Sequence, residues 1–313
     1  MKYFSAALAA AALALTSCGA PAAVPLPRGG DERVVTVDGL TRSYTIVVPS
    51  QCRMQSARCP LVFGFHGGGV RGVSGNQFAR QTGLADYAAP RGFIFIAPNA
   101  HGTNWNDGRP GTGATANDIR FVREILLALN RDGIGYNPGR IYATGMSNGG
   151  HLSFRLGCEM AGVFAAIAPV AASLGEDLSR TCRPARPISV LNIVGTADPI
   201  SPYSGGAIRN FRGELRGDIL SSDATLGFWG RANRCEHRAD AQPSDQNPND
   251  GTSVVISRLY ACQDSVLVQL RAIVGGGHIW PGHADRGVIA LITGRQSSEF
   301  DANLVILQFF GIT

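Results

Sequence analysis

The segment Arg140–Gly150, R-I-Y-A-T-G-M-S-N-G-G, constrains the chain more than any other. A β-forming run, Ile141-Tyr142-Ala143-Thr144, meets Gly145, then Ser147, then Gly149 and Gly150, with helix-forming sequence beyond. This is the spacing of a nucleophile elbow, in which a serine stands on a sharp strand-to-helix turn. Glycines flank the serine because a Cβ at either place would collide with neighbouring backbone in so tight a turn. With glycine at 40 of 313 positions, chance supplies about a third of such a match. The motif therefore carries weight only if a base, an acid and an anion-stabilising loop stand around it in order.

The surrounding chain alternates apolar strands with helices. Pro60–Phe65, Gly92–Pro98, Phe164–Val170 and Ile188–Val194 are nearly continuous apolar runs, as expected of strands buried on both faces. Gln81–Ala89 suits a crossover helix. Ala116–Asn130 carries Ile119, Val122, Ile125, Leu126 and Leu129 at helical spacing, with Asn117 and Asp118 in its first turn. The helix after the elbow runs to about Gly157. Two alternating runs, 33–37 and 44–48, flank Asp38-Gly39, a hairpin signal, and read as antiparallel edge strands. Beyond Asp198 the pattern loosens: 201–217 and 239–251 read as polar loops, 222–233 as a helix, 254–260 and 266–274 as a strand pair, and 300–309 as a closing helix. The expectation is one α/β domain over 31–313, a mostly parallel sheet flanked by helices.

Net charge of +5 comes from scattered arginines, with Lys2 the one lysine. No basic run interleaved with aromatics is present, so nucleic-acid binding has no footprint. Lys2 followed by an apolar stretch from Phe4 to Leu15 reads as an export signal, too short to span a bilayer, which takes about 20 apolar residues. Leu15-Thr16-Ser17-Cys18 resembles the bacterial lipobox, which makes 1–17 a signal peptide, Cys18 a lipidated first residue and 18–30 a tether. That reading implies attachment to a membrane, with the outer membrane or cell surface favoured over free periplasmic or secreted protein. The rival is a plain cleaved signal that happens to contain Cys18. The other six cysteines are even in number, as a disulfide set requires in an exported chain. Chain proximity favours Cys52–Cys59, Cys158–Cys182 and Cys235–Cys262 among fifteen possible pairings. Zinc is the alternative use, but no cysteine pair has C-x-x-C spacing. No metal or cofactor is expected.

Serine is a weak nucleophile at neutral pH and needs a base. Of six histidines, His237, His278 and His283 follow Ser147 far enough to serve in the order serine, acid, histidine. His278 lies directly after the strand ending at Val274 and is favoured; His283 is its competitor, and His237 sits in a polar segment. Asp198, after the strand ending at Val194, is the candidate acid, ahead of Asp218 and Asp223. An oxyanion requires backbone N–H donors. Asn148, next after the serine, offers one; Gly67 or Gly68 of His66-Gly67-Gly68-Gly69 offers the other, with His66 bracing the loop.

Together H-G-G-G, G-M-S-N-G-G, G-T-A-D-P and G-G-G-H-I-W-P-G resemble the secreted polyhydroxybutyrate depolymerase and feruloyl/acetylxylan esterase superfamily, over roughly Ser43 to Gly282. The resemblance implies an α/β-hydrolase fold and a Ser147–Asp198–His278 triad. It also implies an acyl or aromatic pocket lined by Trp105, Trp280 and Met146, acting on hydroxyalkanoate, acetyl or cinnamoyl esters. Ile279 departs from the threonine common there. Two other readings compete: a serine peptidase of the same fold, and a surface lipoprotein that only binds.

Overall fold

The computed structural model describes residues 26–54, 56, 58–68, 73–209, 213–283 and 292–313. The signal peptide, Cys18, most of the tether, and Gly69 with the three residues after it lie outside the described residues.

Twelve strands are described: β1 Gly30–Val37, β2 Leu40–Val47, β3 Cys59–Phe65, β4 Ile94–Pro98, β5 Tyr136–Met146, β6 Ala166–Val170, β7 Ser189–Gly195, β8 Gly206–Arg209, β9 Leu215–Ile219, β10 His237–Asp240, β11 Ser253–Tyr260 and β12 Val268–Val274. Seven α-helices accompany them: α1 Gly75–Thr82, α2 Ala88–Arg91, α3 Asp118–Arg131, α4 Asn148–Glu159, α5 Glu176–Thr181, α6 Ser222–Ala232 and α7 Ala302–Phe309. Ten strands form one sheet in the order β1-β2-β4-β3-β5-β6-β7-β12-β11-β10. The six from β4 to β12 in that order are parallel. Antiparallel pairs close both edges. The fold is the expected α/β-hydrolase arrangement, and Asp38 and Gly39 both take positive φ at the hairpin turn.

Alternation along each central strand divides the core in two. Phe63, Ile96, Ala143, Val190 and Leu270 face α3, α4 and α6, with Trp229 of α6 among them. Val62, Phe95, Tyr142, Leu191 and Ile273 face α1 and α7. Helix α3 starts where Asn117 accepts the Arg120 N–H at 3.0 Å, a side-chain N-cap that satisfies one of the helix's free donors.

Three local differences from the sequence expectations have simple causes. Strand β5 begins at Tyr136 rather than Ile141, and its register against β3 shifts between Cys59 and Leu61. Pro138 lies in that shift, where its missing N–H costs no ladder bond. The polar 201–217 segment contains β8, whose pairing with β9 is a separate two-stranded unit. Short, exposed and charged, these strands carry almost no hydrophobic alternation to be read. The crossover expected at 81–89 starts earlier, where Ser74 accepts the Gln77 N–H and caps α1.

All three proximity pairings of cysteine occur as disulfides: Cys52–Cys59, Cys158–Cys182 and Cys235–Cys262. Cys158–Cys182 ties the last turn of α4 to the end of α5. Among the described residues, no helix is long and apolar enough to cross a membrane.

Candidate active site

Strand β5 delivers Ser147 between Met146 and the first residue of α4, with φ 56° and ψ −121°. A serine held there is strained, and the surroundings hold it. Its N–H donates to the Val170 carbonyl at 2.9 Å, and its carbonyl accepts the His151 N–H at 2.9 Å. The turn closes only over glycine. A Cβ on Gly145 would stand 2.6 Å from the Gly149 carbonyl oxygen and 2.7 Å from that of Phe65, and one on Gly149 would fall onto the Phe65 and His66 carbonyls. Met146 and Ser147 keep partial solvent access.

The loop after β3 lies against this turn. A Cβ on Gly67 would be 3.6 Å from the Ser147 Cβ. One on Gly68 would strike Asn104 Oδ1 and stand 2.6 Å from Asn148 Oδ1. His66 braces the loop through a fixed tautomer: its Nε2 accepts the Ala100 N–H at 3.1 Å, so the proton sits on Nδ1, which donates to the Gly67 carbonyl at 2.6 Å. Burial holds the His66 imidazole down to about 4, against an opposing push from its bond to Gly67.

The acid and histidine candidates arrive on neighbouring parallel strands. Beyond β7 and β12 the two chains pack backbone to backbone, because a Cβ on Gly195 would meet the Gly276 and Gly277 carbonyls. Ala197 N–H donates to Gly276 at 2.9 Å, and Gly275 N–H to the Thr196 hydroxyl at 2.9 Å. Asp198 and His278 thereby meet, with His278 Nδ1 donating to Asp198 Oδ2 at 2.7 Å. Their side chains are 6% and 1% exposed, histidine first, so little water competes for the bond. The second carboxylate oxygen accepts the Ile200 and Ser201 N–H groups at 2.7 and 2.8 Å. Nδ1 is thus occupied, and Nε2 carries the lone pair available to take a proton.

The competing residues stand elsewhere. His283 Nε2 lies 2.9 Å from Asn303 Nδ2 and 3.5 Å from Asp301 Oδ1, at the start of α7. His237 is exposed on β10 beside Tyr260. Asp218 is exposed on β9, and Asp223 accepts the Tyr203 hydroxyl.

Trp105 and Trp280, expected on a pocket wall, are both buried. Trp105 is wholly buried, its Nε1 donating to the His66 carbonyl at 2.9 Å and its ring edge-on to Phe65. Trp280 packs edge-on to Phe78 and donates to Asn303 Oδ1 at 3.1 Å. A large aromatic with one polar tip is well suited to such bracing.

The sequence reading missed a buried polar cluster behind the elbow. Asp107 pairs with Arg109 (Oδ2–Nη2 2.6 Å) and accepts from Asn148 Nδ2 at 2.7 Å. Burial would raise the Asp107 carboxyl, but the Arg109 charge and hydrogen bonds overcome it and hold it below the ordinary carboxylate range. His151, one helical turn beyond Ser147, donates from Nδ1 to the Ser173 carbonyl at 2.8 Å. Burial first, then the Arg109 charge, push it down to about 3, with His278 adding to the same direction. The available signals were His151 at i+4 from the serine and the Asn-Trp-Asn-Asp run. Arg42 and Asp118 form a second buried pair at 2.7 Å, and Asp118 accepts the Asn106 N–H, stiffening the same loop. No group of three His, Cys, Asp or Glu able to hold a metal occurs among the described residues.

No family model matches the chain. Feruloyl esterase B of Piromyces equi is 32% identical over 226 residues, 70% of this chain and 39% of that protein. The chain thus spans well under two thirds of that relative's length. NocK of Nocardia uniformis subsp. tsuyamanensis, which carries a provisional esterase name, is 29% identical over 86% of this chain and 80% of its own. Among solved structures, an acetyl xylan esterase from Aspergillus awamori superposes with a TM-score of 0.57 at 13% identity, covering 90% of this chain and all of that one. A thermostable esterase gives 0.50 at 19%, covering 66% and 52%. At such identities the structures speak for the fold alone.

Proposed function

We propose that the chain is a serine carboxylesterase working through an acyl-enzyme, a reading supported by its likeness to feruloyl esterase B and NocK and by its α/β-hydrolase fold. The observation that carries this is the buried 2.7 Å bond between His278 Nδ1 and Asp198 Oδ2, which leaves Nε2 as the ring's proton acceptor. Ser147 Oγ attacks the ester carbonyl as His278 Nε2 takes its proton, and Asp198 stabilises the imidazolium. The Asn148 N–H, with Gly67 or Gly68, holds the developing oxyanion. His278 returns the proton to the leaving alcohol; water then enters by the same base and releases the acid. Every proton that leaves a nucleophile returns to a leaving oxygen, so no cofactor is called on.

The substrate we assign is a small feruloyl-type ester, by likeness to feruloyl esterase B, with acetyl and hydroxyalkanoate esters the further candidates from the sequence motifs. The Leu15–Cys18 lipobox supports export and a lipid anchor at Cys18, which would bring the catalytic domain to a membrane surface. The decisive experiment replaces Ser147 by Ala and measures p-nitrophenyl acetate hydrolysis. Loss of at least about 1,000-fold in kcat is expected, and wild-type turnover by the variant would sink the reading. Acetyl, feruloyl and hydroxybutyryl esters compared on the parent protein rank the acyl groups, and faster cleavage of a matched amide would favour a peptidase.

A further inference from the structure

Among the described residues, the Asn148 side chain makes all its hydrogen bonds to one short segment. Its Oδ1 accepts the Trp105 N–H at 2.7 Å, while Nδ2 donates to the Trp105 carbonyl at 3.1 Å and to Asp107 Oδ2 at 2.7 Å. Those three partners fix which end of the amide is oxygen. The same side chain is the surface on which Gly68 rests, since a Cβ there would stand 2.6 Å from Oδ1 and 3.0 Å from the Asn148 Cβ. Trp105 closes the circuit by donating to the His66 carbonyl at the other end of the glycine loop. Residues 66–68 and 147–148 come from different strands and touch through this amide.

Behind Asn148, Arg109 reaches Asp107 through Nε at 3.1 and 3.2 Å and through Nη2 at 2.6 Å. Its side chain threads between Gly175 and Gly217, where a Cβ would lie 3.2 and 3.0 Å from it. Its Nη1 is buried with no partner among the described residues. A buried ion pair with an orphaned donor is a poor device for stability alone, because desolvation rivals the attraction, and apolar replacements often match it. What an apolar pair would lack is an anionic acceptor aimed at Asn148 Nδ2.

We propose that the Asn148 amide is a positioning residue for the oxyanion pocket, setting the elbow's N–H against the glycine loop, and that Asp107 with Arg109 fixes that amide. The inference rests on the esterase reading. A donor displaced by a fraction of an ångström stabilises the tetrahedral oxyanion less while leaving ground-state binding almost untouched.

The test replaces Asn148 by Ala, which keeps the backbone N–H and removes the amide. Active sites are counted with a fluorophosphonate, and p-nitrophenyl acetate is the substrate. The expected result is a fall of about 10- to 100-fold in kcat per labelled site with KM within about twofold. An arylboronic acid, which forms a tetrahedral adduct, should lose affinity by a similar factor. Turnover per labelled site within about twofold of the parent overturns the inference. A second protein carries Asp107→Leu with Arg109→Met. The same kcat loss at an unlowered melting temperature supports positioning; a lower melting temperature with kcat per labelled site unchanged makes the pair merely structural and overturns it. A parent protein that hydrolyses no ester overturns the esterase reading itself, whereas an active parent with an equally active Asn148→Ala variant overturns this inference alone.

Discussion

His66 and His151 are buried imidazoles that the fold keeps neutral, at about 4 and about 3, one under the glycine loop and one under the elbow. In an unfolded chain both would titrate near their ordinary value of about 6.5. Between pH 6.5 and 4 the unfolded chain therefore binds protons that the folded chain refuses. The stability these groups contribute is whole above pH 6.5 and is lost as pH falls through that window. With two protons involved, the slope at its steepest is about 2.7 kcal/mol per pH unit. Urea unfolding at pH 7, 6 and 5 should trace this decline, and a His151→Phe protein should show roughly half the slope. Equal slopes in the two proteins would count against burial as the cause. The Nδ1 bond from His151 to Ser173 adds a geometric effect to the variant's absolute stability, so the comparison is of slopes.

The elbow works because β3, β5 and α4 approach as bare backbone. Gly149 is where this approach is closest, with the Phe65 and His66 carbonyls in the space of a side chain. Neither carbonyl can yield without moving β3, so Gly149→Ala should cost about 3 kcal/mol of unfolding free energy. Gly162, in the turn after α4, has nothing within 4 Å, and Gly162→Ala should change stability by no more than about 1 kcal/mol. Denaturant midpoints for the pair check the contrast, and similar midpoints would show that the crowding is relieved cheaply. Elements of this kind were legible in the sequence wherever burial left a period. The β3, β4 and β7 runs, the α3 face and the Asp38-Gly39 hairpin all announce themselves through hydrophobic spacing or turn chemistry. The meeting of Asp198 and His278 was anticipated from their places at strand ends. The Asp107–Arg109–Asn148 cluster was not legible, because charged residues in a loop look the same in sequence whether solvated or buried. The burial of the two tryptophans was not legible for a related reason: their indole N–H groups find partners inside, on His66 and Asn303.

At the scale of the molecule, the site is assembled at one end of the parallel strands, and the proposed anchor at Cys18 precedes the domain by a short Pro- and small-residue-rich stretch. That arrangement predicts that the full-length protein fractionates with membranes and that a Cys18→Ala variant does not; retention of the variant in the membrane fraction would argue for attachment by another route. Both edges of the sheet end in antiparallel strands bearing charge. Arg33 pairs with Asp132 on one, and Arg238 with Asp240 on the other, which discourages edge-to-edge addition of a second molecule. The bond between Asp198 and His278 joins residues 80 positions apart, and it forms only when β12 has entered the sheet beside β7. On the proposed mechanism, a chain still emerging during synthesis therefore has its serine turn long before it has a base to activate it. Reactivity would then be deferred to the last third of the polypeptide, and a truncated copy would be chemically silent.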